Sequence, residues 1–452
     1  MGFSGAGMEE EYYGSRDVLE GVFGGANTIQ KMMDVEAALA WAECEAGLVP
    51  EQYAGEIQEK CSVKLLDEAV YAEARRTTGH PLMGMLRAYK AICSKEAGEY
   101  LHYGATTQDI SDTALILQLR EAWDIVEDKT RRLREILSGK AREYRSLVMI
   151  GRTNDQQAMP ITLGFKISTW IDELDRCLER MAQGRERIFV GQFAGAVGTM
   201  ASLEQEGPRV QKLLFERLGL AAPKISWFAT RDRLAEFTFD LAMICGAVGR
   251  MGNEVYNEQR SEVNELAEGY ALGKVGSSTM PHKRNPVAPE ALQTLSRLAK
   301  AGMGATFDSM YQFHERDGAS WKIEWMSVNE TVMLVGGVAA KGKKLLKNLD
   351  VFPERMKANL DLLKGLMMSE PVMLELGKKI GKQTAHEVVY EVSMAAFEEQ
   401  ADFKAKLLEN EVVAANMTVA ELDALLDPER YTGDCAAIAR EVSASIRKKR
   451  KG

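Results

Sequence analysis

Residues 276–286 read Gly-Ser-Ser-Thr-Met-Pro-His-Lys-Arg-Asn-Pro, and Glu290 follows four residues later. Within this string Lys283 and Asn285 alternate, so an extended backbone turns both toward one anion. Ser277 adjoins Gly276, where the chain is least constrained. The two prolines lack an amide donor and the glycine adds freedom, so neither a helix interior nor a central strand fits. Helical patterns flank the string, at 264–272 and 287–301. A polar loop carried by rigid helices is a usual mounting for catalytic groups, although a plain surface turn draws on the same residue types.

A second cluster, His102-Tyr103-Gly104-Ala105-Thr106-Thr107-Gln108-Asp109, stands directly before a long helical pattern. Free amides and hydroxyls at a helix start make an anion site, so Thr106, Thr107 and Gln108 suit a carboxylate. Ordinary capping by Thr107 or Asp109 is the plainer alternative. A third cluster, 151–160, reads Gly-Arg-Thr-Asn-Asp-Gln-Gln-Ala-Met-Pro, a polar loop ending in a helix-starting proline. Thr153, Asn154 and Gln156 there offer neutral partners for carboxylate or amide groups. Arg316, in the run 314–321, is placed to anchor a second anion or to close a local ion pair. The string Gly195-Ala196-Val197-Gly198-Thr199 has no strand before it and is no dinucleotide fingerprint.

The chain has five histidines, so each can be weighed. His80 lies in the turn Thr77-Thr78-Gly79-His80-Pro81-Leu82, and an imidazole suits general acid work near neutrality. A structural turn histidine is the alternative. His102 either meets substrate or orders its loop. His282 reads as structural and His386 as a packing or surface residue.

Helices must position these groups. Apolar periodicity predicts helices over 29–46, 113–144, 161–188, 231–256, 289–310 and 323–349, while strand alternation is scarce. The fold class is all-α. Long helices between about 110 and 350 imply a bundle that exposes enough apolar surface to associate laterally. The expected division is an N-terminal domain 1–98, a central bundle 99–350 with the loop 273–290, and a C-terminal domain 351–452. At 46% hydrophobic residues the 452-residue chain can bury a large core. No uncharged apolar run approaches the roughly 20 residues of a membrane span. Residues 1–13 lack a basic and an apolar region, which suggests a cytoplasmic protein. The six cysteines show no metal-ligand spacing, and no metal or organic cofactor is implied. A net charge of −9 gives nucleic-acid binding no support.

The complete 276–286 string resembles the signature of the fumarase/aspartase superfamily, which includes adenylosuccinate lyase, argininosuccinate lyase and carboxymuconate cycloisomerase. The resemblance runs from Asp34-Val35-Glu36-Ala37-Ala38-Leu39-Ala40 to Tyr431-Thr432-Gly433. It implies three mostly helical domains, a twenty-helix core in a homotetramer, and active sites shared by three subunits. It implies that Ser277 removes a proton beside a carboxylate, with Lys283 and Asn285 stabilising the aci-carboxylate. Ser278, Met280, Thr106, Thr107, Gln108, Thr153, Asn154, Gln156, His102 and Arg316 would then line a small polycarboxylate. His80 matches a catalytic histidine of adenylosuccinate lyases.

Three departures stand out. The block at 151–156 is similar to Gly-Arg-Thr-His-Gly-Gln, but the general-acid histidine is Asn154 here. An asparagine delivers no proton at neutral pH. In adenylosuccinate lyases an arginine and paired serines bind the nucleotide phosphate; that arginine aligns with Trp325 here, and an N-terminal arginine of the family aligns with Thr28, so both departures argue against a nucleotide monophosphate. The reading is therefore a lyase for anti β-elimination of a succinyl-type adduct by C–N or C–O cleavage, releasing fumarate, and not acting on a nucleotide. A 3-carboxy-cis,cis-muconate cycloisomerase is the alternative, favoured by 102–109, by 316–325 and by Asn154. A non-catalytic paralogue is the third reading.

Overall fold

The computed structural model describes residues 16–270 and 279–448, so Ser277 and Ser278 lie outside the described residues. Helices dominate as the periodicity requires. We label them α1 (Gly25–Glu45), α2 (Pro81–Ile92), α3 (Thr107–Glu143), α4 (Leu163–Ile188), α5 (Asp232–Glu258), α6 (Val287–Asp308) and α7 (Gly318–Lys347). Along α3, Leu119, Ala122, Val126, Leu133 and Leu137 are buried, the stripe that the heptad-like spacing anticipates. α1 stops at Glu45, with Gly47 in the left-handed region at φ +83°.

Two helices begin earlier than their apolar stripes because acidic side chains cap them. The Asp109 carboxylate accepts from the Thr106 amide at 3.0 Å, which starts α3 at Thr107. Asp317 accepts from the Ala319 amide at 2.9 Å and from the Ser320 hydroxyl at 2.8 Å, which starts α7 at Gly318.

Two segments differ from the sequence expectation. Residues 151–160 are not a loop leading into a helix. They belong to an antiparallel hairpin of β1 (Val148–Thr153) and β2 (Gln156–Thr162). Asn154 and Asp155 turn it at φ +52° and +61°, a left-handed pair that short polar side chains tolerate. The pattern at 264–272 is also not helical over its described part. Leu266–Ala267 forms β3 and pairs antiparallel with β4 (Asp350–Val351). Glu265 is buried there, and its carbonyl accepts from the Phe352 amide at 3.0 Å.

Packing divides the chain into two compact units. One comprises Met1–Thr130, Cys177–Gly249 and Ala291–Lys341; the other comprises Arg131–Arg176, Arg250–Glu290 and Gly342–Gly452. The first has an aromatic centre in which Trp123 meets Phe189 edge-on at 5.7 Å and Phe237 at 5.4 Å. In the second, Val372, Leu376, Ala385, Val389, Phe403 and Leu407 form a buried cluster. The six cysteines are free, and no helix among the described residues is long and apolar enough to cross a membrane.

The two helices that flank the hairpin, α3 and α4, are held together at its base by close backbone approach. The Gly164 amide donates to the Tyr144 carbonyl at 2.9 Å. A Cβ at Gly164 would lie 2.5 Å from Arg145 Cα and 2.6 Å from the Ala141 oxygen. Both neighbours are backbone and cannot rotate away. Gly164→Ala is therefore expected to destabilise the protein by about 1–3 kcal/mol, measured by urea unfolding.

Candidate active site

The start of α3 is fixed by one buried carboxylate. Asp109 Oδ1 accepts from the Ala194 amide at 2.8 Å and from Gln192 Nε2 at 3.3 Å. Its Oδ2 accepts from the amides of Thr106 and Gly195, both at 3.0 Å. Burial raises its pKa to about 6 against the pull of those donors. The Ala194 and Gly195 amides, at the start of the glycine string 195–199, thus secure the threonine loop. Because Asp109 does the capping, the Thr106 hydroxyl is free for another task. Its Oγ1 accepts from Arg316 Nη1 at 2.9 Å. The Arg316 guanidinium also stands over the Phe228 ring, 5.5 Å from its centroid. Thr106 and Arg316, 210 residues apart, together offer a hydroxyl and a forked cation to one anion.

Two residues expected at the substrate are turned inward. Gln108 is 4% exposed, and its Nε2 donates to Asp112 Oδ2 at 3.1 Å. At the second position of a helix its side chain points into the unit, away from the loop that carries Thr106. His102 orders its loop, as one of its two readings allowed. Its Nδ1 is 2.7 Å from Glu36 Oε1, and its backbone amide donates to Glu36 Oε2 at 2.9 Å. Burial alone would lower the His102 pKa, and the buried Glu36 carboxylate more than offsets it, so the net shift is upward.

Asp112 belongs to an ion network that sequence reasoning missed. Arg231, fully buried, donates from Nη1 to Asp112 Oδ2 at 2.7 Å and from Nε to Glu324 Oε1 at 2.8 Å. Trp321 Nε1 donates to Asp112 Oδ1 at 2.9 Å, and the Ser309 hydroxyl to Glu324 Oε1 at 3.1 Å. Each member lies in or beside a helix where a charged residue reads as solvent-facing. No local signal distinguishes them.

His80 caps α2: its Nδ1 accepts from the Leu82 amide at 3.2 Å. That bond requires an unprotonated Nδ1, so the neutral ring carries its hydrogen on Nε2. Burial, helped by the nearby Lys322 charge, lowers the His80 pKa and keeps the ring neutral. The ring lies 6.2 Å from Trp321 and 6.1 Å from Trp325. It faces a cavity of about 160 Å³ lined also by Thr28, Met32, Ser111, Asp112, Gln118, Trp325 and Asn329. Thr28 and Trp325, the two departures at the phosphate arginines, therefore meet in the same cavity.

The remaining candidates lie in the second unit. Thr153, Asn154 and Gln156 are exposed at the hairpin tip. Beneath them Arg152 Nη2 donates to Glu265 Oε1 at 2.8 Å, and Arg152 Nη1 to Glu265 Oε2 at 3.0 Å. Met280 and Lys283 are exposed and Asn285 is half-buried in the segment before α6. That segment is tied down where Gln259 Nε2 donates to the Arg284 carbonyl at 3.1 Å. It is tied again where the Ala288 amide donates to Glu268 Oε2 at 2.6 Å. His282 and His386 are exposed and away from these contacts.

The His80 cap has a titration consequence. Because its folded pKa lies below the ordinary 6.5, the unfolded chain takes up the proton first. Its contribution is present above the unfolded pKa and is lost as pH falls through the folded one. His80→Asn keeps a capping acceptor and removes the titration. The urea midpoint of the wild type is expected to fall more steeply than that of H80N between about pH 7 and about pH 5. Parallel pH profiles would contradict the assigned tautomer.

A family model described as "Lyase" matches residues 10–299, and one described as "Adenylosuccinate lyase C-terminus" matches 365–442. The chain is 42% identical over 424 residues to an N-acetyl-S-(2-succino)cysteine lyase of Dickeya dadantii, covering 94% of this chain and 93% of that one. It is 42% identical over 427 residues to an adenylosuccinate lyase of Methanocaldococcus jannaschii, covering 94% and 92%. Among solved structures, the 3-carboxy-cis,cis-muconate lactonizing enzyme of Pseudomonas putida superposes with a TM-score of 0.90 at 33% identity, covering 98% of this chain and 99% of that one. The chain belongs to the lyase family and is an enzyme of the fumarase/aspartase superfamily.

Proposed function

We propose that the protein cleaves a succinyl adduct by anti β-elimination, releasing fumarate, and that the adduct carries no nucleotide. Ser277 removes the proton beside a carboxylate, and Lys283 and Asn285 hold that carboxylate as its charge grows. Thr106 and Arg316 hold the other carboxylate. Thr107, Thr153, Asn154, Gln156, Ser278 and Met280 complete the enclosure, with the sets contributed by different subunits of a homotetramer in the cytoplasm. The division into 1–98, 99–350 and 351–452 accompanies this assembly.

One observation carries the reading. The cavity beside His80 has Thr28 and Trp325 where nucleotide-binding relatives would need arginines, and among the described residues its lining includes no lysine or arginine. A phosphate monoester there would be a desolvated dianion without a counter-charge. The neutral His80 matters equally, because it donates a hydrogen bond but is no ready proton source. Asn154 is unable to donate a proton and the lowered pKa of His80 disfavours its protonated form, so the reading favours a leaving heteroatom that departs without full protonation. A thiol, with a pKa near ~8.5, leaves as the thiolate far more readily than an amine leaves as its anion. A thioether C–S bond thus joins the C–N and C–O bonds expected from sequence. The Dickeya dadantii relative is named for a compound, N-acetyl-S-(2-succino)cysteine, that contains such a bond.

The cycloisomerase reading keeps one supporting observation, the likeness to the Pseudomonas putida enzyme together with Asn154. A panel of N-acetyl-S-(2-succino)cysteine, adenylosuccinate and 3-carboxy-cis,cis-muconate separates these possibilities. Fumarate from the first, with neither turnover of adenylosuccinate nor lactone from the third, is the expected result. Ser277→Ala should lower kcat by about 10²–10⁴-fold without altering the helical circular dichroism or the assembly size. Full turnover by that variant would reject Ser277 as the base.

A further inference from the structure

Asn285 sits in a stretch that supplies little order of its own. Residues 283–286 form neither helix nor strand, and Pro286 has no amide to donate. The order comes from a frame behind them, made of the end of α5 and the pair β3–β4. Gln259 is the first residue beyond α5, and its own amide still donates to the Val255 carbonyl at 3.0 Å. Glu268 directly follows β3, and the next residue, Gly269, passes so close to the Asn348 carbonyl that a Cβ has no room. Both residues are therefore rooted in fixed backbone.

Two side chains reach from that frame and bracket Asn285. The Gln259 side-chain amide works like a single peptide rung. Its Oε1 accepts from the Glu268 amide at 3.0 Å, and its Nε2 donates to the Arg284 carbonyl at 3.1 Å. The Glu268 carboxylate then accepts from the Ala288 amide at 2.6 Å. That amide lies in the first turn of α6, where N–H groups lack helical partners and negative charge is favoured. The chain is thus held on both sides of Asn285, at Arg284 and at Ala288. Arg284 adds a third hold, with its guanidinium 4.2 Å from the centroid of the Tyr270 ring. The residue type at 259 matters. A glutamine accepts and donates at once, whereas a carboxylate only accepts and a lysine only donates.

We propose that Gln259, with Glu268 as its companion, is a positioning residue that holds Asn285 at the substrate carboxylate. The inference rests on the reading in which Asn285 binds that carboxylate, and adds what fixes its place. A displacement of about 1 Å at a group that meets developing charge costs up to about a hundredfold in rate. Gln259 acts through Asn285 and not on the substrate itself.

A double-mutant cycle and hydrogen exchange test it together. With the panel substrate that the wild type turns over, Gln259→Met should lower kcat by about 10–100-fold and change KM by less than about threefold. Asn285→Ala lowers kcat by itself. Adding Gln259→Met to it should cost less than about threefold more, because the residue being held is already gone. A general weakening of the fold would cost the same factor in either background. Exchange of the Glu268 and Ala288 amides should be about tenfold faster in Gln259→Met, with circular dichroism and assembly size unchanged. Gln259→Glu keeps the acceptor for Glu268 and loses the donor for Arg284. It should share the kcat loss while the Glu268 amide exchanges near the wild-type rate.

Wild-type kcat in both variants, an equal loss in the Asn285→Ala background, or unchanged exchange in Gln259→Met would each overturn the clamp. Absence of fumarate from every panel substrate, with exchange still faster in Gln259→Met, would sink the elimination reading and leave the hold on Asn285 standing. Absence of both turnover and faster exchange would remove both.

Discussion

Arg231 immediately precedes the first residue of α5, where the helix dipole already presents positive charge. A fully buried guanidinium at that point is penalised twice, by desolvation and by the dipole. It persists because Asp112 and Glu324 take its donors from two sides. Those carboxylates lie in the opening turns of α3 and α7, so the triad fixes the starts of three helices in mutual register. Thr106 stands just before α3 and Arg316 just before α7, and their 2.9 Å contact inherits that register. Such a network is weak evidence for net stability, since well-packed apolar residues often do as well. Its value here is positional, and removing Arg231 would leave two buried carboxylates without their shared counter-charge.

The loop before α3 follows the same logic of internal saturation. Asp109 collects three backbone amides and a side-chain amide, and Glu36 collects both the ring and the backbone of His102. Both acids are consumed by architecture. The result is a segment whose structural carboxylates are turned away from the anion site, while a hydroxyl and a guanidinium are turned toward it. A dicarboxylate therefore approaches donors without facing the charges that hold those donors in place.

Much of the fold was legible because long amphipathic helices announce themselves by period alone, and α3 to α7 fall close to their expected ranges. The segments that escaped have two kinds of cause, one local and one long-range. The hairpin at 148–162 depends on two left-handed residues, Asn154 and Asp155, whose conformation a helical scan does not register. The pair β3–β4 joins residues more than eighty positions apart. The site divided along a similar line. Thr106 and Arg316 were legible as anion-binding types, whereas their direct contact was not. Gln108 was misplaced because a polar residue at a helix start can face either way. Ser111 and Asn329 gave no signal, since a serine and an asparagine on helices are ordinary.

The departures at 28, 154 and 325 gain meaning when taken together. Losing one phosphate arginine would weaken a nucleotide site, but Thr28 and Trp325 line a single cavity, so on the proposed reading both arginines are missing from one place. Losing a general acid at 154 would cripple an amine-releasing enzyme unless another acid replaced it. The obvious substitute, His80, spends its Nδ1 on the α2 cap and is held neutral by burial and by Lys322. The electrostatic change and the proton-transfer change therefore favour one kind of leaving fragment: uncharged where it is recognised, and acidic enough at its heteroatom to depart unaided. A thiol without a phosphate meets both conditions on the proposed reading, whereas a nucleotide amine meets neither. On the proposed reading, the proton-abstracting half of the superfamily site stays intact at Ser277, Lys283 and Asn285. Divergence is confined to the half that receives the departing group, which is where a change of substrate without a change of reaction has to act.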